Sequence, residues 1–207
     1  MSTSIRILLA VLVLAVVALP VAATPAPACK ILDNMQAAYE GESNAHARYL
    51  AFAMQADREG YGEVASLFRA AARAEEIHAK NHASILRSLG VVPVVRVEGP
   101  VVKSTRENLI AAIEGETYER DRMYPEFIAN ARAEGNANAV RTLTWAWEAE
   151  KDHALLYAMA LMNLDQLAGS KAVEYYVCPG CGHTMTKAQL ANCPTCYTRK
   201  EKAERIA

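Results

Sequence analysis

Residues 116–153 read ETYERDRMYPEFIANARAEGNANAVRTLTWAWEAEKDH, and this stretch decides the fold. It opens on Glu116-x-x-Glu119 and closes on Glu150-x-x-His153, with Gly135 between them as a helix stop. Leu143, Trp147, Glu150, Ala154, Tyr157, Leu161 and Leu164 recur at helical spacing, so Glu150 stands in the stripe that faces a core. Before the glycine, Leu109, Ala112, Ile113, Glu116, Glu119, Met123 and Phe127 repeat the pattern. Carboxylates therefore occupy places that the periodicity reserves for buried groups.

The same grammar recurs upstream. Glu42 stands alone on a helix predicted from about Ile31 to Arg58, which the glycines of Gly60-Tyr61-Gly62 stop. Glu75 and His78 form an E-x-x-H on a second helix, from about Glu63 to Leu89, ended by Gly90. The interval from Glu42 to Glu75 is 33 residues and that from Glu116 to Glu150 is 34. Two helix pairs related by a pseudo-two-fold axis would gather these ligands around one point. The segment Val91–Lys103 carries Pro93, Gly99 and Pro100 among valines and cannot be a helix. It is long enough to cross from one end of a bundle to the other, the mark of a ferritin-like connection. Ser104 and Glu107 form a capping box that starts the third helix, which runs to about Ala133 with Pro125 inside it. That proline requires a kink or local compensation. The fourth helix is predicted from about Ala137 to Leu167, before Gly169.

Burying five unpaired glutamates is prohibitive unless cations sit among them. Two ferrous ions leave the set one negative charge from neutral, and two ferric ions one positive charge beyond it. Spacing i, i+3 puts both members of each E-x-x-H on one helical face. A single E-x-x-H is an ordinary solvated pair; two at matching places, with inward glutamates on the other two helices, indicate a di-iron carboxylate bundle. His46 and His82 lie four residues from ligands and are read as packing or hydrogen-bonding groups rather than ligands. Tyr49 and Tyr124 are further inward candidates whose hydroxyls could reach a ligating carboxylate.

Four of the five cysteines stand as Cys178-x-x-Cys181 and Cys193-x-x-Cys196, the spacing of a tetrathiolate metal site holding iron or zinc. The fifth, Cys29, is read as a free thiol near the start of the mature chain, with lipid attachment as the alternative. Arg6 followed by apolar residues 7–19 and a Pro/Ala-rich stretch has the form of a secretory signal, cleaved after Ala23 or Ala28. The alternative is an uncleaved membrane anchor. Export, to the periplasm, is the expected location. A 207-residue chain with 52% hydrophobic residues and a net charge of −1 suits one buried domain with a small appendage and gives no basic field for nucleic acid. The expected organisation is a signal and processing region over 1–28, an all-α bundle over 29–170 and a four-cysteine module over 171–207.

At this point the chain resembles the rubrerythrins. The resemblance rests on Gly41-Glu42-Ser43, Glu75-Glu-Ile-His78, Glu116-Thr-Tyr-Glu119, Met123-Tyr-Pro-Glu-Phe127, Glu150-Lys-Asp-His153 and the two cysteine knuckles. It implies a ferritin-like four-helix bundle with one long crossover, followed by a rubredoxin-like module with one iron. It implies that Glu75 and Glu150 bridge two irons, that Glu42 is terminal on one, and that Glu116 and His153 serve the other. His78 and Glu119 are implied to alternate on the first iron as its redox state changes. Tyr49 and Tyr124 match tyrosines beside the family's di-iron centre and are the candidate catalytic side chains. The implied activity is reduction of hydrogen peroxide to water, with electrons from a donor passing through the iron of the four-cysteine site. A ferroxidase and a non-catalytic metal-binding protein are the alternatives. A homodimer is expected, with the tail of one subunit near the di-iron site of the other, on the argument that a tail tethered after the fourth helix does not fold back on its own bundle. His183, where an aromatic often follows Cys-Gly, and a C-terminal segment 200–207 without the usual aromatic depart from the family pattern.

Overall fold

Ser104 starts the third rod of the bundle through the expected capping box. Its hydroxyl accepts from the Glu107 amide, and the Glu107 carboxylate accepts from the Ser104 amide. The computed structural model describes residues 30–207; the expected signal segment and Cys29 lie outside the described residues. Helices α1 (Lys30–Arg58), α2 (Gly62–Ser88), α3 (Thr105–Tyr118), α4 (Tyr124–Ala133) and α5 (Ala137–Met162) build a ferritin-like four-rod bundle, in which α3 and α4 are two halves of one rod. No helix among the described residues is long and apolar enough to cross a membrane. The crossover is extended and lies along α1. There the Asn44 side-chain amide donates to the Arg96 carbonyl at 3.4 Å, and the Glu98 amide donates to the Asn44 side chain at 2.8 Å.

Two departures from the periodicity have physical causes. Between α3 and α4, Glu119–Met123 forms a single π-helical turn, and Pro125 stands in the first turn of α4. The inserted residue shifts the inward face. Leu109, Ala112 and Glu116 hand over to Tyr124, Ile128 and Ala131, while Met123 and Phe127 are only half-buried. The stripe expected through Met123 and Phe127 is therefore out by one residue after Glu119. At the other end, α5 stops at Met162 rather than near Leu167, and the chain turns to lay Ser170 beside Tyr61. A Cβ on Gly62 would come within 2.6 Å of the Ser170 carbonyl oxygen, so the close passage requires glycine there.

Two apolar clusters fill the bundle. One is built on Tyr49, Phe52, Phe68 and Tyr157, with ring centroids 5.1–6.2 Å apart; the other contains Met35, Leu86, Tyr124 and Leu143. Glu42 falls between Ala38 and Ala45, Glu116 between Ala112 and Tyr124, and Glu150 between Ala146 and Tyr157. The ligand-bearing turns thus occupy the layer between the two clusters.

The tail forms a three-stranded antiparallel sheet of order β2-β1-β3, from β1 (Tyr175–Val177), β2 (Thr184–Thr186) and β3 (Glu204–Ile206). The C-terminal segment lacking the family's aromatic supplies β3, and Ile206 packs on the first apolar cluster. The module does fold back on its own bundle, contrary to the argument for a contact between subunits. Arg73 makes a two-pronged bond to Glu204 at 2.7 and 2.8 Å, Asn81 donates to the Gly180 carbonyl at 3.0 Å, and His183 lies 3.3 Å from Asp152.

Candidate metal centres

Helical spacing brings the inward residues of four rods together. One group gathers Glu42, Glu75, His78 and Glu150; a second gathers Glu75, Glu116, Glu150 and His153. Within each, one ligand atom per residue lies within 4.8 Å of all the others. Glu75 and Glu150 belong to both groups, the placement that a pair of bridging carboxylates requires. All six side chains are 0–1% exposed. Glu119 joins neither group. It sits on the first residue of the π-turn, half-buried, with its carboxyl near enough to the site to add to the effect of burial in raising the proton affinity of Glu42.

The donor atoms fit metal. Glu42 Oε2, Glu75 Oε1, Glu116 Oε2, both Glu150 oxygens and His153 Nδ1 are buried without a hydrogen-bond partner. A folded protein tolerates few such atoms, and these belong to one cluster. His153 Nδ1 lies 3.2, 3.7 and 2.9 Å from oxygens of Glu75, Glu116 and Glu150, a convergence of donors on one point. Burial, and then the neighbouring carboxylates, push Glu42 and Glu119 far above the usual carboxylate range and Glu116 to about 8. Burial opposes charge on Glu75 as well, yet His153 and His78 hold it low. Burial opposes charge on His78, yet Glu150 and Glu75 raise it to about 10. Such a set holds either protons or cations, and hard divalent or trivalent ions with oxygen and imidazole ligands satisfy it.

Both imidazoles point Nδ1 at the carboxylates, and the partner of each Nε2 comes from the four-cysteine module. His78 Nε2 donates to the Cys181 carbonyl at 3.1 Å, and His153 Nε2 is 3.0 Å from the Thr184 hydroxyl. Such partners fix the orientation of a metal-binding imidazole and its basicity. The approach is close: a Cβ on Gly182, where φ is +80°, would lie 2.3 Å from His78 Nε2.

The two tyrosines take the terminal carboxylates. Tyr49 donates to Glu116 at 2.6 Å and Tyr124 donates to Glu42. His82, read from sequence only as a supporting group, lies behind Tyr124: its Nε2 is 3.1 Å from the Tyr124 hydroxyl and its Nδ1 is 3.4 Å from that of Thr142. Since the Tyr124 proton goes to Glu42, Nε2 of His82 is the donor and Nδ1 the acceptor, as in a neutral ring. Burial, then the charge of His78, lowers His82 to about 3. The unfolded chain binds a proton there near pH 6.5, whereas the folded chain refuses it until about pH 3. The stability His82 contributes is thus complete above about pH 6.5 and declines by up to about 1.4 kcal/mol per unit as pH falls. His82→Leu is expected to shallow that decline, as read from urea unfolding at pH 7 and pH 5; equal declines in both proteins would refute it. His46, by contrast, bonds the Ala72 carbonyl at 2.6 Å and faces no ligand.

Sequence reasoning missed two further groups. Arg48 lies over the Tyr49 ring at 5.5 Å, with its charge beside Glu119 and Glu116. Tyr157 packs edge-on against Tyr49 at 5.5 Å, its hydroxyl buried without a partner. An arginine on a helix that also bears solvated charges carries no mark of burial, and the tyrosine read simply as core.

In the module, Cys178 and Cys196 sulfurs lie 3.4 Å apart, as do those of Cys181 and Cys193. This is far beyond the roughly 2.05 Å of a disulfide and close to the edge, about 3.8 Å, of a tetrahedron with metal–sulfur bonds near 2.3 Å. Contacts among the thiols hold Cys178 far down and push Cys181 up and Cys193 to about 11, the behaviour of crowded sulfurs that share protons unless a cation replaces them. Cys181 is fully buried toward the bundle, while Cys196 is half-exposed.

Fold and sites together define a ferritin-like di-iron bundle carrying a rubredoxin-like iron module with four cysteine ligands. The rubrerythrin family profile matches residues 33–161. Rubrerythrin-2 of Clostridium acetobutylicum is 38% identical over 172 residues, 82% of this chain and 93% of the relative. Nigerythrin of Nitratidesulfovibrio vulgaris is 38% identical over 171 residues, 82% of this chain and 83% of the relative. The structure of fully reduced, all-ferrous nigerythrin superposes with a TM-score of 0.79 at 35% identity, covering 89% of this chain and 91% of that one. A bacterioferritin of Desulfovibrio desulfuricans, at 23% identity and a TM-score of 0.64, shares the fold. The chain belongs to the rubrerythrin family, a family of di-iron, peroxide-reducing proteins.

Proposed function

We propose that this chain is a peroxidase that reduces hydrogen peroxide to water in the bundle, with electrons relayed through the four-cysteine site. One observation carries the reading: the Cys181 carbonyl accepts a hydrogen bond from His78, whose other nitrogen lies among the di-iron carboxylates. The two metal sites are thus one imidazole apart within a single chain, and a protein that merely stored or bound metal has no use for that junction.

Reduction of one peroxide consumes two electrons and two protons and yields two waters. A bound di-iron pair would supply the two electrons; everything else falls to the side chains. Glu75 and Glu150, common to both groups, would serve both metal positions, Glu42 and His78 one of them, and Glu116 and His153 the other. Tyr49 and Tyr124 hold the outer carboxylates, Glu116 and Glu42, by hydrogen bonds. Glu119, outside both groups, would be the alternative ligand to His78 in the oxidised state. Burial together with Glu116 and Glu150 favours its neutral form until it gains a cation.

Peroxide, an external electron donor and a homodimer are the proposed partners, although closing the relay does not call for a second subunit. Export rests on Arg6 and the apolar residues 7–19, and is tested by fractionation and by sequencing the mature N-terminus. Stopped-flow mixing of the fully reduced protein with peroxide and with oxygen tests the activity. Oxidation by peroxide is expected to be at least about tenfold faster at equal concentration, a difference of about 1.4 kcal/mol in barrier. Faster reaction with oxygen, coupled to uptake of ferrous ion, would make the chain a ferroxidase. A colourless protein without iron would end both redox readings.

A further inference from the structure

The π-turn between α3 and α4 is held open by a side chain from another helix. In that turn the Tyr124 amide donates to the Glu119 carbonyl, five residues back. The next amide in such a ladder belongs to residue 125 and would reach the Arg120 carbonyl. Residue 125 is proline and has no N–H. The wide turn and the proline together therefore leave the Arg120 oxygen without a backbone donor, and it accepts from Trp147 Nε1 at 2.8 Å instead. The Trp147 ring is held in turn by Lys151, whose Nζ lies 3.4 Å from the ring centroid and pairs with Glu148 at 2.7 Å.

The indole distinguishes two registers of the same segment. In an ordinary α-ladder the Tyr124 amide would take the Arg120 carbonyl, and proline would leave the Asp121 oxygen without a donor. In the wide turn the oxygen that Pro125 leaves without a donor is that of Arg120, and this is the one Trp147 caps. The difference matters at the metal site. One residue of α-helix is about 100° of rotation, so losing the inserted residue would swing Tyr124 away from Glu42, while Glu119 would no longer stand at the head of the turn.

We propose that Trp147 is a positioning residue: its indole N–H holds residues 119–123 in the register that aims Tyr124 at Glu42 and keeps Glu119 beside the ligand groups. The functional importance of this register rests on the peroxidase reading; the capping itself does not. Trp147→Phe keeps the ring and removes only the donor. In the iron-loaded full chain, hydrogen exchange at the Tyr124 amide is expected to quicken at least tenfold, with Leu143 and Tyr157 exchanging as in the parent. The charge-transfer absorption of the diferric protein is expected to shift as the Tyr124–Glu42 contact loosens. Adding Pro125→Ala to that variant restores an N–H that the wide-turn ladder aims at the Arg120 carbonyl, and slow exchange at Tyr124 is expected to return together with the parent absorption; slow exchange without that absorption would mark the α-register and overturn the proposal. Unchanged exchange and absorption in Trp147→Phe would overturn the proposal. So would a uniform acceleration along α5, which marks general loosening, or a double variant that exchanges as fast as Trp147→Phe. A chain that fails to reduce peroxide but shows the exchange pattern would refute the activity and leave the capping intact.

Discussion

Glu150→Ala is expected to give a folded bundle that retains no iron pair, leaving only the iron of the cysteine site. Both Glu150 oxygens are buried without a hydrogen-bond partner, and the residue belongs to both ligand groups. Removing it strips a donor from each metal position at once and leaves two cations facing each other with one bridge fewer. The affinity loss should exceed the roughly 10–100-fold cost of losing a group that merely orients a ligand. Glu75→Ala should behave alike, because Glu75 is the other shared residue. Glu116→Ala, which touches one group, should lose less. Iron per chain after loading and gel filtration checks the order; full retention of iron by Glu150→Ala would refute the bridging assignment.

Gly182→Ala should separate the proposed electron relay from the proposed chemistry in the bundle. The added methyl would sit 2.3 Å from His78 Nε2 and 2.6 Å from its Cδ2, at a backbone φ of +80° that alanine disfavours. The imidazole cannot retreat, because its other nitrogen is 2.7 Å from Glu75 and 3.2 Å from Glu150. The module must lift instead, and the His78–Cys181 hydrogen bond breaks. Steady-state peroxide turnover with an external reductant is expected to fall on the order of a hundredfold, the scale of misplacing a functional contact by an ångström. A single turnover of protein reduced beforehand with dithionite should remain within a fewfold of the parent. If steady-state turnover survives the substitution, electrons reach the bundle by another route.

Much of this architecture was legible in the sequence, for identifiable reasons. The glycines at 60, 90 and 135, the Ser104 capping box and the 3.6-residue stripes mark helix ends and faces through local physics. Glu42, Glu75, His78, Glu116, Glu150 and His153 stood out because charge in an apolar stripe is costly without a counter-ion. Pro125 announced a disturbance but not its form, since a proline is compatible with a kink, a break or a wide turn. The one-residue slip of the inward face after Glu119 followed from that ambiguity. Docking of the tail was invisible for a different reason. Its decisive contacts use the carbonyl of Cys181 and the missing side chain of Gly182, and neither a backbone oxygen nor an absent methyl leaves a pattern in a residue string.

The seating of the module on its own bundle also bears on how the protein works when scarce. The short connection between Met162 and Tyr175 tethers the two metal sites, so each sees the other at an effective concentration of about millimolar, whatever the bulk protein level. A relay completed between subunits fails once the protein is diluted below the dissociation constant of the pair, whereas the proposed relay, within one chain, would be unimolecular. Turnover per chain with a small-molecule reductant should therefore stay constant as the protein is diluted through the nanomolar range. An enzyme present at a few copies in a dilute compartment would then lose none of its capacity for want of a second copy.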